Sequence, residues 1–309
     1  MKKFAPALQF TLGAVLTLLI VSQFSFRNER NGSPNEKENR PNWFPPHAPK
    51  QLSFAGEQVP LERWDVREKL DREILLNYYS QGSIIYLLKL TNRNFPIISA
   101  RLKANGVPDD FKYLCIAESN MQPWAVSKAG AVGYWQFMDG TAPGFGLEVS
   151  SDVDQRRDLE KATDAACRYL KSAYDRFGSW TAAAASYNCG QGGYGQQATF
   201  QQTKNYYDLQ LPEETNKYIF RILTFKYLLE NADQLGYVVK EEEKYQPVPV
   251  RTVVVNRTIP NLAQFAINEG TTYKMLRQLN PWIKGKSLTV GGGKAYTLKL
   301  PAAADISSK

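Results

Sequence analysis

The stretch Val107–Met138, VPDDFKYLCIAESNMQPWAVSKAGAVGYWQFM, decides how the rest of the chain is read. Pro108 suits a first helical position, and Asp109 and Asp110 suit the positive end of a helix dipole, so a helix is expected to open here and to close by Asn120 and Pro123. Phe111, Leu114, Cys115 and Glu118 fall at i, i+3, i+4 and i+7 and therefore share one face. That face is otherwise apolar and should pack inward, which puts Glu118 at the buried end of a hydrophobic stripe. No Lys or Arg follows within one helical turn, so burial should disfavour the ionised carboxylate and raise its pKa. A carboxyl that keeps its proton near neutral pH is what a general acid requires. From the helix alone, a Glu that snorkels to solvent or pairs with a distant Arg is the plainer reading. What lies downstream shifts the balance.

The chain has 309 residues, enough for one sizeable core and a small accessory domain. Its composition, 43% hydrophobic with 12% aromatic residues, is that of a globular protein. The net charge of +8 suits an anionic polymer, but the basic residues are scattered with no run of five, so nucleic acid is not an expected partner. Cys115, Cys167 and Cys189 lack CxxC spacing, and the single histidine, His47, lies in a Pro-rich stretch. Triad chemistry and a Cys/His metal site are therefore disfavoured, and no metal or organic cofactor is expected. An odd cysteine count leaves at least one thiol free.

Lys2 and Lys3 precede an uncharged, mostly apolar run, so residues 1–26 read as a signal peptide or a membrane anchor. The exit VSQFSF offers no good pair of small residues for cleavage, which favours the anchor and an N-terminus on the inner side. Residues 27–60, rich in Asn, Pro, Glu and Lys, read as a flexible linker. Helical periodicity dominates residues 61–239. Helices are expected over Leu61–Tyr79, with Trp64 inward, then Ser83–Leu90, Phe95–Asn105, Leu159–Phe177, Trp180–Cys189 and Pro212–Asn231, with a glycine loop after Gly190. The run Ala182–Ala185 would let neighbouring backbones approach closely, marking a central helix. Lys240–Val250, charged and Pro-containing, reads as a second linker. Residues 251–301 change pattern to a β-α-α-β unit.

Around Glu118 the sequence supplies Ser119, the GYWQFM segment (Gly133–Met138), SYN (Ser186–Asn188) and ETNKY (Glu214–Tyr218). Carbohydrate sites use such parts: aromatic faces stack on sugar rings, and amides both donate to and accept from hydroxyl and N-acetyl groups. With these motifs in this order, the chain resembles the soluble-lytic-transglycosylase family of lytic murein transglycosylases, closest to its membrane-associated D-type subgroup. The match covers roughly Trp64–Leu229; Ser186 and Cys189 stand where the family favours alanine. The resemblance implies a mainly α, lysozyme-like catalytic domain on the periplasmic side of a cell envelope. It implies peptidoglycan glycan strands as partner, cut between N-acetylmuramic acid and N-acetylglucosamine to leave 1,6-anhydromuramic ends. Glu118 would be the catalytic acid and then the base. Ser119 would orient it, Gln136 and Tyr187 would line the groove, Asn188 would hold the substrate or the helix end, and Tyr218 would bond the carboxylate or the sugar. Trp135 and Phe137 would be core.

The C-terminal unit resembles a LysM domain through TIPNLAQFAI, TYKMLRQLNP and TLKLP, with Asn256-Arg257-Thr258 in place of the usual Gly-Asp-Thr. It would be a glycan binder or a structural cap. Two alternatives to a transglycosylase stay open. A muramidase would need a second carboxylate, for which Asp139 is nearest in sequence. A non-catalytic peptidoglycan-binding protein would keep the groove without the chemistry.

Overall fold

The computed structural model describes residues 46–302. The expected signal peptide or anchor (1–26) and the first part of the expected linker (27–45) lie outside the described residues. No helix among the described residues is long and apolar enough to cross a membrane.

A small hairpin, β1 (Ser53–Phe54) and β2 (Glu57–Gln58), comes first. Six helices follow: α1 (Trp64–Tyr78), α2 (Gln81–Ala104), α3 (Phe111–Ser119), α4 (Leu159–Phe177), α5 (Trp180–Phe200) and α6 (Glu213–Glu230). α3 packs against α2 and α6, while α5 packs between α4 and α6. Ala182, Ala183, Ala184 and Ala185 are all fully buried, so α5 is a central helix whose missing side-chain bulk lets its neighbours close in.

The hairpin corrects the linker expectation for residues 46–60. Phe54 is fully buried and meets the Phe111 ring edge-on at 5.1 Å. The Glu57 carboxylate accepts from the Ser179 hydroxyl (2.8 Å) and the Trp180 (2.6 Å) and Thr181 (2.9 Å) amides, capping the N-terminus of α5. The Ala55 amide donates to Asp110 Oδ2 at 2.7 Å and Lys226 Nζ to the Ser53 carbonyl at 3.0 Å, so several contacts order a segment whose average composition is that of a tether.

Three helical expectations also change. Ser83–Leu90 and Phe95–Asn105 form one helix, α2, through Pro96. Its buried stripe of Ile84, Leu87, Leu90, Asn94, Ile98 and Leu102 continues across the proline, and that packing outweighs the ~3 kcal/mol a mid-helix proline costs. The glycine loop after Gly190 is instead a second helical segment. Gly190 alone is non-helical (φ 78°, ψ 146°), and helix resumes to Phe200 with Tyr194 buried. Trp64 is exposed, and Val66 and Glu73 take core places on α1.

The C-terminal unit is β3 (Val250–Val255), α7 (Leu262–Asn268), α8 (Tyr273–Leu279) and β4 (Tyr296–Pro301). The strands pair antiparallel from Val250 opposite Pro301 to Val255 opposite Tyr296. Leu262, Ala266, Leu276, Ile283 and Leu298 fill a separate small core. Tyr245, in the preceding stretch, is held on α2: its amide donates to the Lys89 carbonyl at 3.0 Å, and Arg93 sits over its ring.

Replacing Phe54 by Ala should destabilise the protein by about 3–5 kcal/mol, the usual cost of emptying a buried aromatic site. Chemical denaturation measures this, and a tether residue would show no change.

Candidate active site

Glu118 stands in the last turn of α3, directly before a reversal in which Asn120 and Met121 both take positive φ (50° and 57°). The Asn120 amide closes the helix on the Ile116 carbonyl at 2.8 Å. Phe111, Leu114 and Cys115 on the same face are fully buried, while Glu118 keeps a partly exposed edge. Burial pushes its carboxyl up from 4.5 to about 7. The Tyr218 hydroxyl, donating to Glu118 Oε1, works against that rise, the nearby charge of Glu214 adds to it, and Arg221 opposes it. Tyr218 is itself buried, and burial next to Glu118 holds its phenol well above the ordinary range, so it remains a donor.

The segment after α3 folds back as a wall. Val132 bridges to both Val126 and Phe137, and the Gly133 amide donates to the Ala125 carbonyl at 3.0 Å. Gly133 has φ +83°, and a Cβ there would lie 2.0 Å from the Arg156 carbonyl oxygen, so no side chain fits. Trp135 is fully buried and donates to Thr163 Oγ1 at 2.9 Å; Phe137 is buried as well. Gln136 follows at φ +50°. Its Nε2 donates to the Gly133 (2.8 Å) and Ala125 (3.2 Å) carbonyls, which leaves its Oε1 as the end able to accept from a ligand.

The Ser119 hydroxyl, one turn after Cys115 and buried, bonds to the Tyr134 carbonyl at 2.7 Å, stitching α3 to the wall. Tyr187 is half-buried, packs on Tyr169 and Phe137, and donates to the Trp135 carbonyl at 2.8 Å. Burial and the charge of Glu118 hold its phenol well above the ordinary range. Asn188 Oδ1 accepts from Thr215 Oγ1 at 2.7 Å, joining α5 to α6 one turn before Tyr218. Glu118, Tyr187 and Tyr218 are thus brought together, whereas Ser119 and Asn188 hold the frame. Asp139, the sequence candidate for a second carboxylate, is exposed and lies 3.6 Å from the Arg156 guanidinium. The carboxylate whose charge reaches Glu118 is Glu214.

All three cysteines are free thiols, with Cys115 and Cys167 fully buried. Among the described residues no group of His, Cys, Asp or Glu could hold a metal ion. A surface hollow of about 780 Å³ lined by Lys50, Gln58, Glu62 and Arg67 includes none of the residues around Glu118. Arg221 and Arg156 were not singled out by sequence. Arg221 follows Tyr218 by three residues on the same helical face, a spacing that could have revealed it. Nothing local marks Arg156.

The helical fold agrees with comparison to known families. Residues 95–210 match the transglycosylase SLT domain and residues 251–304 the soluble lytic transglycosylase C-terminal LysM-like domain, so the chain is built from an SLT transglycosylase domain followed by a LysM-like domain. It is homologous to membrane-bound lytic murein transglycosylase D of Escherichia coli K12, 27% identical over 216 residues, 67% of this chain and 47% of that one. The peptidoglycan transglycosylase gp16 of Escherichia phage T7 is 38% identical over 95 residues, 30% of this chain and 7% of its own length. The chain thus spans less than half the length of these curated relatives.

Two outcomes follow from the geometry. Tyr218→Phe removes the bond that favours the charged form, so carboxyl titration by NMR should place Glu118 above the wild-type value of about 7. Between about 4.5 and about 7 the folded protein keeps a proton on Glu118 that the unfolded chain releases, so this group costs stability progressively as pH rises through that window. Glu118→Gln removes the cost. Its melting temperature should match wild type near pH 4 and exceed it at pH 8 by the equivalent of roughly 1–3 kcal/mol, allowing for the partly exposed edge.

Proposed function

We propose that the protein is a peptidoglycan lytic transglycosylase that cleaves the bond between N-acetylmuramic acid and N-acetylglucosamine without water, leaving 1,6-anhydromuramic ends. The observation that carries this reading is the Glu118 carboxyl itself: largely buried, with its pKa raised to about 7, and addressed by the Tyr218 phenol. The two matched domains and the homology to a lytic murein transglycosylase support the same class of substrate.

The proposed chemistry uses one carboxyl twice. Protonated Glu118 gives its proton to the glycosidic oxygen as the bond to muramoyl C1 breaks, and Tyr218 then donates to the new carboxylate. The substrate's N-acetyl group stabilises the positive charge at C1. The Glu118 carboxylate next takes the proton of the muramoyl C6 hydroxyl as that oxygen bonds to C1, which restores the acid. Gln136, through Oε1, and the Tyr187 rim would orient the sugar, with Asn188 and Ser119 fixing the elements that carry them. Asp139, the second-carboxylate candidate nearest in sequence, is exposed and sits beside a guanidinium, which fits poorly with a water-activating base.

We place the protein at the cell envelope, on the periplasmic side. Residues 1–26 act there as signal peptide or anchor and residues 27–45 as spacer, with the domains at 61–239 and 251–301 joined through 240–250. The relative's membrane-bound character supports that location.

Mass spectrometry of digested peptidoglycan should show anhydro ends as the main product; a majority of reducing muramic ends would identify a hydrolase. Glu118→Gln should lose at least about 100-fold in turnover, the usual worth of a positioned general acid. Wild-type kcat/KM should fall as pH rises above about 7, where Glu118 loses its proton.

A further inference from the structure

The LysM-like unit does not hang free of the groove. Val153, in the loop between the groove wall and α4, is 1% exposed and belongs to the core of the C-terminal unit, beside Ile283 with which it forms a β-bridge. On either side of it the backbone is bonded to the same unit. The Asp154 amide donates to the Trp282 carbonyl at 2.7 Å, and the Asp152 carbonyl accepts from the Lys284 amide at 2.7 Å. The Asp152 carboxylate accepts from the Thr289 amide at 3.0 Å.

Two residues beyond Asp154, the same loop holds the wall around Gln136. Arg156 is 7% exposed and makes a two-pronged bond to Asp154, Nε to Oδ1 at 2.8 Å and Nη2 to Oδ2 at 3.0 Å. Its Nη1 donates to the Phe137 carbonyl at 3.3 Å, and its own carbonyl fills the space a Cβ on Gly133 would need. Gly133 and Phe137 flank Gln136. Five residues, Asp152–Arg156, therefore run from the core of one unit to both sides of the segment that faces the substrate in the other.

We propose that the LysM-like unit is a brace for the groove wall, with Val153, Asp154 and Arg156 as positioning residues that transmit its hold to Gly133–Phe137. The role concerns turnover and not only retention on the cell wall, and it rests on the transglycosylase reading for its kinetic part. A bidentate guanidinium pair has one preferred geometry, so fixing Asp154 by its amide to Trp282 also fixes where Arg156 can reach. A wall displaced by 1 Å is enough to lower turnover about 100-fold.

The test uses full-length Val153→Asp, which puts a charge into the C-terminal core, with Val153→Ile as the conservative rescue. Hydrogen exchange across residues 132–139 should quicken several-fold in Val153→Asp and stay at the wild-type rate in Val153→Ile. On a soluble tetrasaccharide fragment, kcat should fall about 10- to 100-fold with KM little changed. Unchanged exchange over 132–139 overturns the proposal, as does an unchanged kcat with only weaker binding to insoluble sacculi. If Val153→Asp does not fold cooperatively, Asp152→Ala, which removes the carboxylate's hydrogen bonds to Thr289 and Ser151 and its pairing with the Lys284 charge, carries the same test: faster exchange supports the brace and unchanged exchange overturns it. Exchange needs no substrate. A Glu118→Gln protein as active as wild type would sink the transglycosylase reading while leaving the coupling to be judged on exchange alone.

Discussion

A nine-residue helix is too short to hold itself together in water, so α3 exists only because its apolar face is packed. Phe111, Leu114 and Cys115 are driven against α2 and α6, and the helix that results carries Glu118 to the edge of the same contact. The proton on Glu118 is a by-product of that packing. The burial that stabilises the helix also raises the cost of a charge at its end, and the Tyr218 hydroxyl returns only part of it. Stability and acidity at this position are set by one term, with opposite signs.

Much of this was legible in the sequence because it depends on local periodicity. The i, i+3, i+4, i+7 stripe, the alanine run and the β-α-α-β pattern at the C-terminus all state their structure over a few turns of chain, whereas the helix expected to open at Pro108 begins at Phe111. Directions of polar side chains were not legible. Ser119 and Glu118 are adjacent, yet 100° of helical rotation sends one hydroxyl to the Tyr134 carbonyl and the other side chain towards Tyr218. The use of Asn188 as a tie to Thr215 depends on a helix 27 residues away in sequence, which no window around Asn188 contains. The hairpin was hidden for a different reason. Its order comes from contacts made by a few residues, Phe54 and Glu57 among them, with partners far along the chain, and an average over a Pro- and Asn-rich stretch dilutes them.

Sequence also separates what the fold joins. The change of pattern at Arg251 marks a unit with its own small core, and the two matched families divide at the same place. Val153 crosses that division, leaving the larger domain to fill the smaller one's core. Its neighbours carry no feature that periodicity could detect, since a single apolar residue in a loop reads as an ordinary surface valine. The boundary in sequence is real, but it is not a boundary for mechanical coupling.

The cap that Glu57 places on α5 has a consequence for the order in which the chain can fold. Its three partners lie 122 to 124 residues downstream. Closing a loop of that length costs conformational entropy before any contact repays it, and such distant contacts slow folding. A nascent chain therefore presents Phe54 and Glu57 long before Trp180 has been made, while Phe111, which meets the Phe54 ring, comes earlier. All of α1 to α4 lies between Glu57 and those three partners in the chain, so it is synthesised before the cap can form. The hairpin is in this sense a late latch at the early end of the chain. It cannot close before residues 179–181 exist, so a chain truncated before Ser179 would leave the Glu57 carboxylate without its three donors.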